Sequence, residues 1–176
     1  GEAYHNSHPF TAKDNQGREW TLIHNGTIFS YSFLSPYQYK QEGRTDSERI
    51  LLYLIHMINS RQSILGGPMS IYERLGLIQA ILSDMSKGNK LNLILYDGEL
   101  MYVHTNYAGS LFVRQTPGLA VFATVPLTEE GWEPVPFTTL CAYQNGRCFF
   151  QGSPHEHEYV DRREDTQYLY AEFAAL

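Results

Sequence analysis

The sequence predicts an α+β fold, on three observations. Two stretches, starting at Thr45 and at Ser70, carry apolar residues at helical spacing behind Ser/Thr-x-x-Glu starts. From Lys90 onward the pattern changes to short apolar runs separated by Asp-Gly and Asn-Gly. Aromatic residues make up 14% of the chain, including 13 tyrosines, and flat rings pack well on a pleated surface. Strands, then two neighbouring helices, then a run of antiparallel strands is not the alternation of a parallel α/β sheet. Adjacent helices on one sheet, with hairpins feeding a second, are compatible with a layered sandwich.

Taken in order, Thr11 to Arg18 is polar, with Asp14-Asn15-Gln16-Gly17 as a turn. Glu19 to His24 carries Trp20, Leu22 and Ile23 and reads as a strand that Asn25-Gly26 ends. Thr27 to Gln41 shows neither period and reads as partly extended, partly irregular. The helix from Thr45 to about Ser60 has Leu51, Leu54, Ile55 and Ile58 on one face, with Thr45 and Glu48 as a capping box. Gly66-Gly67-Pro68 breaks the chain. Ser70 and Glu73 open a second helix with Leu75, Ile78, Ile81, Leu82 and Met85 along one face, closed at Lys87-Gly88. Leu91 to Tyr96 and Leu100 to Thr105 form a hairpin across Asp97-Gly98. Ser110 to Gln115 and Gly118 to Thr124 follow as strands. Val135 to Tyr143 and Arg147 to Gln151 form a hairpin across Asn145-Gly146, before a polar loop from Ser153 to Asp165 and a short helix from Thr166 to Leu176. No repeat, linker or second domain is visible, so residues 1–176 read as one domain.

At 176 residues the chain is long enough for a sizeable core. Its net charge of −6 argues against a nucleic-acid partner, which calls for a basic patch. No apolar run approaches the roughly 18 residues that span a membrane. No secretory leader is read, and two cysteines are too few for a disulfide framework, so a cytoplasmic setting is expected.

Few residues invite chemistry. An Asn-Gly at a strand end can set the Asn25 amide beside the Gly26 N–H, the parts of an oxyanion hole. A β-hairpin turn is the plainer reading, and it is the one for Asn145-Gly146, which has clean alternation on both sides. Asp46 in the first turn of a helix can bind an ammonium group or simply favour the helix dipole. His5, His8 and His24 lack the spacing of a zinc set and read as structural. His155 and His157, flanking Glu156, read as part of a solvated loop. Cys141 and Cys148 read as buried sheet residues, with Cys141 opposite Phe150 and Tyr143 opposite Cys148. No metal and no cofactor is expected, and no nucleophile stands out.

Together, Gly1-Glu2, Asn6-Ser7-His8-Pro9-Phe10, His24-Asn25-Gly26-Thr27-Ile28 and Thr45-Asp46-Ser47-Glu48, in this order, resemble the class II glutamine amidotransferase domains, a group of N-terminal-nucleophile hydrolases. Asn92 to Gly98, Phe122 to Leu127 and Trp132 to Pro136 resemble the small stand-alone bacterial branch, and the likeness covers most of the chain.

The resemblance implies an αββα four-layer sandwich, incomplete here at its N-terminus. It implies an N-terminal cysteine that attacks the side-chain amide of glutamine, with Asn25 and the Gly26 N–H as oxyanion donors and Asp46 holding the α-amino group. The cysteine and a carboxylate-gripping arginine would lie before Gly1, so this chain alone is expected not to hydrolyse glutamine. The expected ligand is glutamine or a γ-glutamyl compound, whose amide the intact protein would cleave. A homo-oligomer or a separate N-terminal fragment would cover the sheet edge left open. The alternative is a non-catalytic amino-acid-binding or regulatory domain of the same fold.

Overall fold

The computed structural model describes residues 2–165, 167 and 168. The helix expected over 166–176 lies, but for two residues, outside them. A first turn, α1 (Glu2–His5), precedes strands β1 (Phe10–Lys13) and β2 (Glu19–Thr27). A 3-10 helix (Ser32–Tyr37) leads to α2 (Asp46–Leu65) and α3 (Ile71–Met85). Then come β3 (Lys90–Tyr96), β4 (Met101–His104), β5 (Phe112–Thr116), β6 (Leu119–Ala123), β7 (Glu133–Pro134), β8 (Cys141–Gln144) and β9 (Arg147–Gln151).

The strands form two antiparallel sheets, one ordered β1-β2-β3-β4-β8-β9 and the other β6-β5-β7. The larger sheet sorts its residues by the two-residue strand period. Leu91, Leu93, Leu95, Tyr102 and Ala142 face a core shared with Leu54, Ile58, Leu75, Ile78 and Leu82 of α2 and α3. Ile94, Val103, Cys141 and Tyr143 face the other way and meet Val113 and Phe122 of the second sheet. The fold is α+β, and the described residues stack as helices, sheet, sheet. No helix among them is long and apolar enough to cross a membrane.

Local chemistry explains the helix starts. Thr45 caps α2 by accepting the Glu48 N–H at 3.2 Å, and Ser70 caps α3 in a complete box in which Glu73 accepts the Ser70 N–H at 2.9 Å. The box expected at α2 is half made. The Glu48 carboxylate does not turn back to Thr45; it accepts the N–H groups of Glu42 (2.7 Å) and Gly43 (2.8 Å), tying the preceding loop to the helix.

Four expectations need correction. Strand β2 does not end at Asn25-Gly26 but pairs on to Thr27, opposite Lys90. Residues 11–13, read only as part of a polar stretch before a turn, belong to β1, held by pairing with β2. Val135 to Leu140 is not strand; the short β7 just before it pairs with β5, and Thr138 takes a φ of 50°. A bulge between Ala142 and Tyr143 shifts the last hairpin, so that Cys141 faces Gln151 and Phe150 faces Ala142, while Tyr143 and Cys148 pair as expected.

Candidate active site

The two Asn-Gly pairs have opposite fates. Asn145 and Gly146 take φ of 50° and 73°, the conformation a two-residue hairpin needs. Asn25 and Gly26 lie within paired strand, opposite Asn92 and Leu91, and neither has a positive φ. Glycine is required at 26 for space: a Cβ there would stand 2.0 Å from the Lys90 carbonyl oxygen and 2.6 Å from His24 Nε2.

This placement sets the direction of the Gly26 N–H. Leu91, opposite Gly26, donates its N–H to Asn106 Oδ1 (2.8 Å), on the β4 side. Gly26 and Leu91 therefore form a pair that exchanges no bonds, and the alternation of an antiparallel ladder turns the Gly26 N–H away from β3. On that side β1 has already ended, since Phe10 pairs with Leu22. The Asn25 side chain is exposed, and among the described residues no group hydrogen-bonds its amide. It lines a cavity of about 240 Å³ with His8, His24, Asn92, Phe122 and Thr124, between the two sheets.

Asp46 enters from α2. Its Oδ2 accepts the Ile28 N–H at 2.8 Å, just past the end of β2, and Ser47 Oγ lies 3.4 Å from Oδ1. His24 joins strand to helix. Its Nε2 lies 3.4 Å from the Lys90 carbonyl, which can only accept, so Nδ1 is left to accept from Ser47 Oγ at 3.1 Å. Burial holds the His24 ring below its ordinary pKa against the pull of Asp46, whose Oδ1 is 4.0 Å away, so the ring is neutral near pH 7. His8 is likewise lowered, first by burial, with Asp46 opposing.

The structure thus brings Asn25, Gly26 and Asp46 to one end of β2, bridged by His24, which sequence reading took as merely structural. It also shows Asn92, which sequence reading passed over. Asn92 is buried beside Asn25, donates to Ser110 Oγ (2.8 Å) and accepts from Thr105 Oγ1 (2.6 Å). A lone amide in the run Leu91 to Leu95 was the signal for it.

Other candidates lie elsewhere. His5 pairs with Glu42 at 3.1 Å. His155 is no free loop residue, because it stacks between His104 and His157 and its Nε2 lies 2.9 Å from that of His104. Cys141 sits buried between the sheets as expected, where burial pushes its thiol up to about 12; Cys148 is exposed, not buried as expected, because it lies on the edge strand β9, and its thiol is raised as well. Neither thiol has the lowered pKa of an attacking cysteine. Among the described residues no three His, Cys, Asp or Glu side chains gather to hold a metal.

Residues 1–118 match the family described as glutamine amidotransferases class-II. The chain is 27% identical to the uncharacterized protein MJ1515 of Methanocaldococcus jannaschii, over 85% of this chain and 48% of that protein. It is 31% identical to the putative glutamine amidotransferase YafJ of Escherichia coli, over 59% of this chain and 40% of that one. It thus spans about half or less of the length of these relatives. A crystal structure of a predicted glutamine amidotransferase from Pseudomonas aeruginosa shares the fold, with a TM-score of 0.70 at 21% identity, over 85% of this chain and 66% of that one. With a family match covering residues 1–118, this chain belongs to the class-II glutamine amidotransferases.

Proposed function

We propose that this chain supplies the acyl-binding half of a site that cleaves the side-chain amide of glutamine or of a related γ-glutamyl compound. One observation carries the reading: the Gly26 N–H turns to the open side of β2 and the unpartnered amide of the adjacent Asn25 lines the cavity between the sheets, with the Asp46 carboxylate fixed just beyond the same strand. Attack on the amide carbon by a cysteine thiolate at the N-terminus of the intact protein puts negative charge on the carbonyl oxygen. Asn25 and Gly26 are the donors for that charge, already in place before it forms. Asp46 takes the ammonium group and so fixes which carbonyl meets the donors. Collapse of the intermediate expels ammonia, and water then releases glutamate from the thioester.

Steady-state glutaminase kinetics on the full-length protein test this. Asn25→Ala should lower kcat by about 100-fold or more, the usual effect of removing one oxyanion donor. Asp46→Asn should act mainly on KM. Turnover unchanged in Asn25→Ala would remove the amide from the mechanism.

A further inference from the structure

The start of α2 holds one hydroxyl between two acceptors. Ser47 Oγ stands 3.1 Å from His24 Nδ1 and 3.4 Å from Asp46 Oδ1, and it carries a single proton. Where that proton goes decides what Asp46 can hold. Asp46 Oδ2 is already taken by the Ile28 N–H at 2.8 Å. Oδ1 is the oxygen left for a ligand, and the side chain is 22% exposed, so a ligand can reach it. Among the described residues the Ser47 hydroxyl alone can donate to Oδ1 within hydrogen-bond distance.

His24 settles the choice. Its side chain has no exposed surface. Asp46 and Ser47 face it from α2, the Lys90 carbonyl from β3 and His8 from the segment before β1. The ring is neutral near pH 7, with its proton on Nε2 towards the Lys90 carbonyl, so Nδ1 is a bare acceptor. It is the nearer of the two acceptors. A buried ring nitrogen left without a donor also costs more than a carboxylate oxygen that water can reach. Resting on the reading above, in which Asp46 takes the ammonium of the donor, we propose that His24 is a positioning residue: it draws the Ser47 proton to itself and so keeps Asp46 Oδ1 bare for that ammonium. Without the ring nitrogen the hydroxyl turns to Oδ1 and competes with the ligand. A plain latch between β2 and α2 would use the same His24–Ser47 bond, but breaking it would weaken every ligand alike. Loss of a positioning residue penalises only ligands that carry an ammonium group.

Calorimetry on the full-length protein at about pH 7 separates the two. The probes are L-glutamate, the product of the proposed cleavage, and glutarate, the same chain without the amino group. Wild-type protein should bind glutamate about tenfold more tightly than glutarate, as one charge-assisted contact allows. His24→Leu should cut that ratio to about threefold or less, because a neutral hydroxyl then sits on Oδ1. Adding Ser47→Ala removes the competing hydroxyl and should bring the ratio back towards its wild-type value. Nitrogen NMR of the imidazole rings in the wild type should show His24 protonated on Nε2 alone; a proton on Nδ1 would overturn the assignment, whether or not His24→Leu folds. So would a ratio that survives His24→Leu, or one that Ser47→Ala fails to restore, and in both cases the wild-type preference for glutamate leaves Asp46 standing as the ammonium site. Equal wild-type affinities for the two probes would take down that role of Asp46 and this assignment with it.

Discussion

Gly26 and His24 show how little room the end of β2 has. A methyl group at 26 meets the Lys90 carbonyl and the His24 ring together, and both are fixed by the strand pairing. Gly26→Ala should therefore cost about 1–3 kcal/mol of stability by overpacking, read as a lower urea midpoint, and should depress turnover beyond that loss by moving the N–H. The three-histidine stack makes a second prediction at this scale. The His157 N–H donates to His155 Nδ1 (3.1 Å), so His155 carries its proton on Nε2 and donates to His104, whose Nδ1–H donates to the Leu91 carbonyl (3.0 Å). Every acceptor in this ladder must stay unprotonated. Burial holds His104 at about 3 and His155 at about 4, well below the ordinary 6.5. A lowered histidine pKa means that the unfolded chain binds more protons between the two values, so stability is full above about pH 6.5 and falls as the pH drops towards 4. Melting temperature measured from pH 7.5 to 4.5 should decline, and His155→Phe, which keeps a stacked ring without the proton sites, should flatten that decline.

Among the elements, the helices and the central hairpin were legible in the sequence because their signals are local. Ser70 and Glu73 sit three residues apart, and Asp97-Gly98 turns the chain between two apolar runs. Two of the four edge strands were not legible, whereas β6 and β9 were. Strands β1 and β7, of four and two residues, exist because β2 and β5 offer them partners, and no short window carries that information. Asn25-Gly26 misled for the same reason: the dipeptide prefers a turn, whereas β3, far along the chain, imposes extension. The candidate residues Asn25, Gly26 and Asp46 stood out only as a set of motifs; the joining of His24 to Ser47 and of His155 to His104, across 23 and 51 residues, was not legible. One contact between elements sets a stability expectation. Arg74 of α3 is buried against Asp97 (2.8 Å) and Glu99 (2.6 Å) of the β3–β4 turn, where Tyr102 also donates to Asp97. Arg74→Met leaves Asp97 buried without that cation and should cost about 3 kcal/mol in chemical denaturation, the lower end for such a break because Glu99 N and Leu100 N still donate to the carboxylate.

Across the whole molecule, the candidate site lies where three parts meet: the end of β2, the start of α2 and the seam between the sheets. The long α2 carries Asp46 and Arg49 on its first turn, while the rest of its length packs into the core that the larger sheet covers. Loosening of that core should therefore reach the site through Asp46. The variant Ile58→Ala, which opens a cavity far along α2, should lower stability by about 2–5 kcal/mol. Its KM, measured well below its melting temperature, should rise more than its kcat falls. The two Asn-Gly pairs also set how the protein ages. Spontaneous deamidation of asparagine needs the following backbone nitrogen to swing onto the side-chain carbonyl. The ladder between β2 and β3 denies that swing to Asn25, whereas Asn145 stands exposed at a hairpin tip. Peptide mapping of long-stored protein should find isoaspartate at 145 and intact asparagine at 25, so that chemical wear falls on a turn and spares the amide that the reaction would use.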